Sequence, residues 1–142
     1  LSRRLLQDAD LTHSRTREYA SYIMEAIYTD SPIRIGGNVL NTGHLISDFP
    51  EQACVEVPCL VDGACIHPTH VGALPPVLAA MKMANINPQL LTIHAARTRK
   101  REDIYRAAML EPRCAAELTV DEIRDMVDEM IEAHGSYMQM YD

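Results

Sequence analysis

Nine residues, Ala53 to Val61 (ACVEVPCLV), constrain the fold more than any other stretch: they are mostly apolar and rich in valine, with Glu56 as the only charge. Such a run fits a pleated, buried surface, and it is the best strand in the chain. Pro58 lies inside it. Proline has no amide proton to give to a ladder, so the strand is expected at a sheet edge or with a bulge at Pro58.

Helical patterning surrounds this strand. From Arg17 to Thr29, Tyr19, Ile23 and Ile27 fall on one helical stripe with Tyr22 and Ala26 beside it, and Ser31-Pro32 ends the pattern. Ile33 to Ile35 alternates as a short strand, and Gly36-Gly37 permits a bend before Asn38, Val39 and Leu40. Pro75-Pro76 introduces a helix over Val77 to Ala84, and Asn87-Pro88 reads as an N-cap with proline at the first helical position, so a second helix is expected there. The basic run Arg97 to Arg101 lies near that helix's C-terminal end, where cations suit the dipole. A further helix is expected over Glu102 to Leu110, stopped by Glu111-Pro112. Thr119 with Glu122 forms a capping box for the last helix, whose stripe is Val120, Ile123, Val127, Met130 and Ile131 and whose end is Gly135. One α+β unit with more helix than sheet follows.

At 142 residues the chain is long enough for one core, burying roughly two thirds of its unfolded surface. A formal charge of −7 without a Lys/Arg-rich face argues against nucleic acid or an acidic membrane surface as a partner. No apolar run approaches the roughly 18 residues of a membrane span, and nothing at Leu1 reads as a signal peptide. A soluble, cytoplasmic setting is expected. Leu1 is not an initiator Met, and the chain is expected to begin inside a longer protein. Cys54, Cys59, Cys65 and Cys114 are irregularly spaced and read as reduced thiols. Cys59, Cys65, His67 and His70 would supply four ligands within twelve residues, but without a C-x-x-C pair zinc is the weaker reading. His94 reads as a satisfied core residue, and His134 suits a helix C-terminus.

The segments SRTREYASYIMEAI, GNVLNTG, VEVPCLVD, IHPTHVGALPP, LLTIHAARTRKREDIYRAAMLEP and ELTVDEIRDMVDEMIEAH carry a resemblance. In this order, over about Ser14 to His134, the chain resembles the C-terminal region of glycoside hydrolase family four, and VEVP with VGALPP is the most specific part. Within the family it looks most like the α-galactosidase, α-glucosidase and α-galacturonidase branch. The resemblance implies a C-terminal domain like that of lactate and malate dehydrogenases, helix-rich with a small antiparallel sheet. It also implies a parent enzyme that hydrolyses α-glycosides with NAD⁺ and a divalent metal, usually Mn²⁺. In that family the sugar 3-hydroxyl is oxidised, the acidified C2 proton is removed by a tyrosine, the glycosidic oxygen is eliminated, water adds, and the ketone is reduced again. The expected partners are an α-glycoside substrate, an N-terminal Rossmann domain of the same parent chain, and further copies in a homo-oligomer.

Three departures from the family pattern stand out. His44 lengthens the turn from Asn41 to Pro50 by one residue, Cys65 stands where the family favours glycine, and Arg99-Lys100 replaces a Gly-Asp turn. The glycine-rich nucleotide loop, the metal-binding Cys and His and the basic tyrosine all belong upstream of Leu1. No catalytic, cofactor-binding or metal-binding residue is therefore assigned, and the chain alone is expected to be inactive. The substrate-binding candidates are Arg15, Arg17 and Tyr19, just after the missing catalytic region, and Asn38, Asn41 and His44, in a polar loop bordering the sugar pocket. The bland reading of each is a helix start for the first three and turn chemistry for the rest. The alternative to the glycosidase reading is a non-catalytic helical binding or oligomerisation module, with Met126, Met130, Ile131 and the tail from Tyr137 to Tyr141 as its interface.

Overall fold

The computed structural model describes residues 14–15, 18–138 and 140–142. In chain order they form helix α1 (Ala20–Thr29), strands β1 (Ile33–Leu40), β2 (Cys54–Asp62) and β3 (Cys65–Pro68), and helices α2 (Pro76–Thr98), α3 (Arg101–Met109), α4 (Pro112–Glu117) and α5 (Val120–His134), with a 3-10 turn at Gly135–Met138. The strands make one antiparallel sheet in the order β1-β2-β3. The expected helix-rich α+β fold with a small antiparallel sheet is what forms. The chain parts into two compact units, one running up to Gly36 and adding Pro58–His67, the other made of Gly37–Val57 and Pro68–Asp142.

The strand Ala53 to Val61 is present as β2, with Val55, Val57, Cys59 and Val61 buried on one face and alternate residues exposed. It is the middle strand, which corrects the expectation of an edge. The reason is the shortness of β3. Its four residues join the nine-residue β2 through Gly63 and Ala64, a hairpin too short to pair along the whole of β2. A second correction concerns Gly36 and Gly37. They do not bend the chain; both lie inside the continuous eight-residue β1, and neither has a positive φ.

In the first unit, α1 ends on Asp30 in the left-handed region, φ 52°. Its carboxylate accepts from the Gly63 amide at 2.8 Å, and a Cβ on Gly63 would stand 2.7 Å from that oxygen, so the hairpin tip needs glycine. Of the stripe predicted from the sequence, Ala26 is buried, Tyr22 and Ile23 are half-buried, and Tyr19 and Ile27 are exposed.

The second unit departs from expectation at Asn87-Pro88. One helix, α2, runs 23 residues through Pro88. The proline ring deletes the hydrogen bond to the carbonyl four residues back and crowds it, at a cost of about 3 kcal/mol. Burial of Ile86 on one side and Ala95 on the other holds the helix together across this gap, and Thr92 Oγ1 donates to the Pro88 carbonyl at 2.7 Å. The helix expected over Glu102 to Leu110 is α3, within a residue at each end. The short α4 after Glu111-Pro112 was hidden because that proline read as a stop. It is the first residue of α4, and Glu111 caps it by accepting from the Cys114 amide. The Thr119/Glu122 capping box is complete in both directions. Ile123, Val127 and Ile131 are buried from α5 as expected, while Val120 and Met130 are exposed. Val127 and Ile131 pack with Tyr105 of α3, and Met138 lies against them.

The corner from α2 to α3 turns on Arg99, which caps α2 in the left-handed region at φ 57°. Asp103, 4% exposed, gathers the corner: Thr98 Oγ1 donates to it at 2.7 Å, Arg106 Nη1 at 2.8 Å, and His94 Nε2 stands 3.5 Å away. His94 is thus an exposed partner of Asp103, not the core residue its sequence setting suggests. The Thr98 hydroxyl, with His94 and Arg106, holds the Asp103 carboxyl below the ordinary carboxylate range.

All three departures from the family pattern, His44 (φ 53°), Cys65 (φ 111°) and Arg99 (φ 57°), sit on positive φ. A side chain there meets its own backbone, so each position stores strain that glycine would not. Cys65→Gly and Arg99→Gly are each expected to raise stability by about 0.5–1 kcal/mol, the relieved strain being partly offset by the larger unfolded-state entropy of glycine; chemical denaturation midpoints measure it. Because the folded-state value of Asp103 is depressed, its contribution is present above the unfolded carboxylate value of about 3.9 and is lost as pH falls through the lower folded value. Urea denaturation as a function of pH in this acid range should therefore show a shallower loss of stability for Asp103→Asn than for the parent chain.

Candidate functional site

The site is built on the loop between β1 and β2. Asn41 is fully buried at its centre. Its Nδ2 donates to the Ile46 and Phe49 carbonyls at 3.0 and 2.8 Å, and its Oδ1 accepts from the Ile46 amide at 2.9 Å. Its backbone closes the loop as well, donating to Ala53 and accepting from His44, both at 2.9 Å. Glu51 accepts from the Gly43 amide at 2.8 Å, where φ is 74°. His44 extends the turn and sets Nδ1 3.2 Å from the Phe49 carbonyl.

The segment after β3 is stitched to this loop. The Val71 and Gly72 amides donate to the Leu45 carbonyl, the Ser47 amide donates to the Gly72 carbonyl, and Asp48 accepts from the Leu74 amide at 2.6 Å. The strap leads directly into α2 and so fixes where that helix starts. A cleft of about 400 Å³ results. One wall is the exposed face of the sheet, with Asn38 of β1 and Cys54 and Glu56 of β2; the other is a single face of α2, with Lys82, Asn85 and Gln89; Ile46, Phe49, Leu74 and Ile86 add apolar surface.

Of the residues singled out in the sequence, Asn38 lines this cleft and Asn41 lies beneath the loop that shapes it. His44 is exposed on the same loop. Arg15 and Tyr19 belong to the first unit. Arg15 pairs with Glu25 and lies over the Tyr22 ring at 4.3 Å, and Tyr19, 47% exposed, accepts the Ile23 amide at the start of α1. Arg17 lies outside the described residues. Sequence reasoning missed Lys82, Asn85 and Gln89. Their spacing of three and four is the signal of one helical face, but a helix break at Asn87-Pro88 assigns them to two helices.

The two cofactors implied by the resemblance do not fit these residues alone. Among the described residues no three His, Cys, Asp or Glu side chains converge where a metal ion could sit, the zinc candidates included. His67 instead faces Asp62 at 3.0 Å on the hairpin, and Cys59 is buried within the sheet. No G-x-G-x-x-G motif occurs in the chain to receive a pyrophosphate.

Comparison with known proteins matches residues 2–114 to the family 4 glycosyl hydrolase C-terminal domain. The chain belongs to that family. It is 48% identical over 137 residues to an α-galactosidase of Bacillus subtilis (strain 168), covering 96% of this chain and 32% of that protein. It is 34% identical over 130 residues to an α-galactosidase of Rhizobium meliloti (strain 1021), covering 92% of this chain and 26% of that protein. Among solved structures, a 6-phospho-α-glucosidase from gut microorganisms, in complex with NAD and Mn²⁺, superposes with a TM-score of 0.79 at 22% identity, covering 99% of this chain and 30% of that one. The chain thus spans between a quarter and a third of the length of the curated relatives it matches.

Truncating Asn41 to alanine leaves the Ile46 amide without its acceptor and takes one donor from each of the Ile46 and Phe49 carbonyls. Asn41→Ala is expected to cost about 3 kcal/mol, the sum of one or two buried groups left unsatisfied. Equilibrium unfolding would read that loss, and a cost near zero would show that the loop closes without the amide.

Proposed function

We propose that this chain is the C-terminal part of a cytoplasmic α-glycosidase acting on α-galactosides, with NAD⁺ and Mn²⁺ held by the rest of the parent protein. The single observation behind this reading is the 48% identity, over nearly the whole chain, to an α-galactosidase. The cleft described above supports it. A concave surface with both polar and apolar lining, ordered by a loop whose buried amide is fully committed, is the kind of wall a sugar pocket needs. In this reading Asn38 faces the sugar, Asn41 positions the loop without touching ligand, His44 lies on that same loop, and Arg15, Arg17 and Tyr19 are substrate contacts proposed from the sequence alone. No helix among the described residues is long and apolar enough to cross a membrane.

A role in subunit assembly is the second part of the proposal. It is favoured by one surface, an apolar groove of about 400 Å³ whose walls include Met126, Met130, Ile131 and Met138. All four belong to the interface expected from the sequence, Met138 through the tail from Tyr137 to Tyr141.

The test is an assay of the full-length parent with p-nitrophenyl α-galactoside. Turnover is expected only with both NAD⁺ and Mn²⁺ present, and the 142-residue chain by itself should release no nitrophenol. Hydrolysis by the parent that persists after NAD⁺ is stripped away contradicts the proposal.

A further inference from the structure

The apolar groove assigned above to subunit assembly is flanked by charges that the chain itself leaves unpaired. On α5 the exposed carboxylates of Asp121, Asp125, Glu129 and Glu132 follow one another at spacings of four, four and three, so they share the face turned away from the buried Ile123, Val127 and Ile131. None of the four has a hydrogen-bond or ion-pair partner among the described residues. Arg124, the one Lys or Arg of α5, is engaged by Glu102 and lies over the Tyr105 ring. Like charges four apart repel, and Glu129 and Glu132 lie toward the helix C-terminus, where the dipole disfavours them. Only Asp121, in the first turn, suits the isolated helix. The stripe therefore destabilises α5, and cations from outside the chain would relieve it.

At the α2–α3 corner, in the same compact unit, the signs reverse. Arg97, Arg99, Lys100 and Arg101, four of the chain's thirteen Lys and Arg, are exposed there and have no ion-pair or side-chain hydrogen-bond partner among the described residues. The dipole of α2 accounts for Arg97 in its last turn, but Lys100 and Arg101 open α3, where cations are disfavoured. Apolar surface leads from one patch to the other. The residues after α5 return to this corner, where the Asp142 amide donates to the Arg99 carbonyl at 3.0 Å and the Arg101 amide to the Asp142 carbonyl at 2.7 Å. That return carries Tyr137, 83% exposed, and exposed Met140 past the groove wall at Met138.

A groove of about 400 Å³ takes only a few side chains. A stable interface buries about 800 Å² on each partner, so the occupant must use the flanks as well. A polyanion would use the basic corner and be repelled by α5, and a basic helix would meet the reverse. A second copy related by a twofold axis uses both, since each basic corner meets the other copy's acidic stripe and the apolar strip closes on itself in the middle. The net charge of −7 opposes other orientations of two copies, which makes the contact of opposite patches selective.

We propose that the groove is covered by a second copy of this chain, in a twofold dimer oriented by the basic corner at residues 97–101 facing the acidic stripe of α5. The inference rests on the assembly reading above and deepens it by naming the partner and the charges that orient it.

Sedimentation velocity of the 142-residue chain tests it. Dimers are expected at micromolar concentration in low salt, with the dissociation constant rising about tenfold or more between roughly 0.05 and 0.5 M NaCl. Arg97→Glu/Lys100→Glu/Arg101→Glu leaves the chain with two acidic patches, and Asp125→Lys/Glu129→Lys/Glu132→Lys leaves it with two basic ones. Each variant alone is expected to stay monomeric, and an equimolar mixture to form a heterodimer, which native mass spectrometry identifies by mass. All six side chains are exposed, and circular dichroism verifies that the helices remain. An unsubstituted chain that stays monomeric overturns the inference and the assembly reading together. Association that ignores salt and both reversals overturns the inference alone and leaves assembly to the groove. Variants that fail to pair in the mixture overturn it too, as does an unsubstituted chain that takes up heparin or a basic amphipathic peptide in place of a second copy.

Discussion

The buried amide of Asn41 is the interaction on which the candidate site depends. A turn of this length carries several backbone groups that turn inward and have no strand partner, and each would be costly if left bare. Asn41 supplies donors and an acceptor from one side chain, tying Ile46 and Phe49 to the end of β1. With those carbonyls fixed, Leu45 and Ser47 can pair with the segment at Val71 and Gly72, and Asp48 can hold Leu74. The start of α2, and with it the far wall of the cleft, follows from this chain of bonds.

Much of the fold was legible because its signals are local. The capping box of Thr119 and Glu122 involves residues three apart, and the alternation of β2 needs only its own sequence. What was not legible depends on neighbours. Whether Pro88 starts a helix or sits inside one is decided by burial of Ile86 and Ala95 on either side of it, and that is tertiary information. Gly36 and Gly37 have the freedom to bend, but pairing along β1 keeps them extended. Pro58 reads as an edge or bulge signal in sequence, yet β2 is the middle strand, with one partner too short to pair along its whole length.

The site divides in the same way. Asn38 and Asn41 stand out in sequence as polar residues around a turn, but nothing local distinguishes the exposed asparagine that lines the cleft from the one buried beneath the loop. The difference is their phase relative to the sheet, Asn38 on the solvent side of β1 and Asn41 past its end. Lys82 and Gln89 needed the correct helix before they could be seen as neighbours. The positive φ of His44, Cys65 and Arg99 is a case where comparison of residue types anticipated geometry, since two of the three replace a glycine or its turn.

Pro88 leaves α2 with one rung missing from its ladder. The proline has no amide proton, so the carbonyl of Ala84 receives nothing from it, and the turns on either side are joined there by packing instead of a backbone hydrogen bond. The half carrying Lys82 and Asn85 and the half carrying Ala95 can then open separately, with different hydrogen-exchange protection. A shift of the first half by a bound molecule need not propagate to the α3 corner.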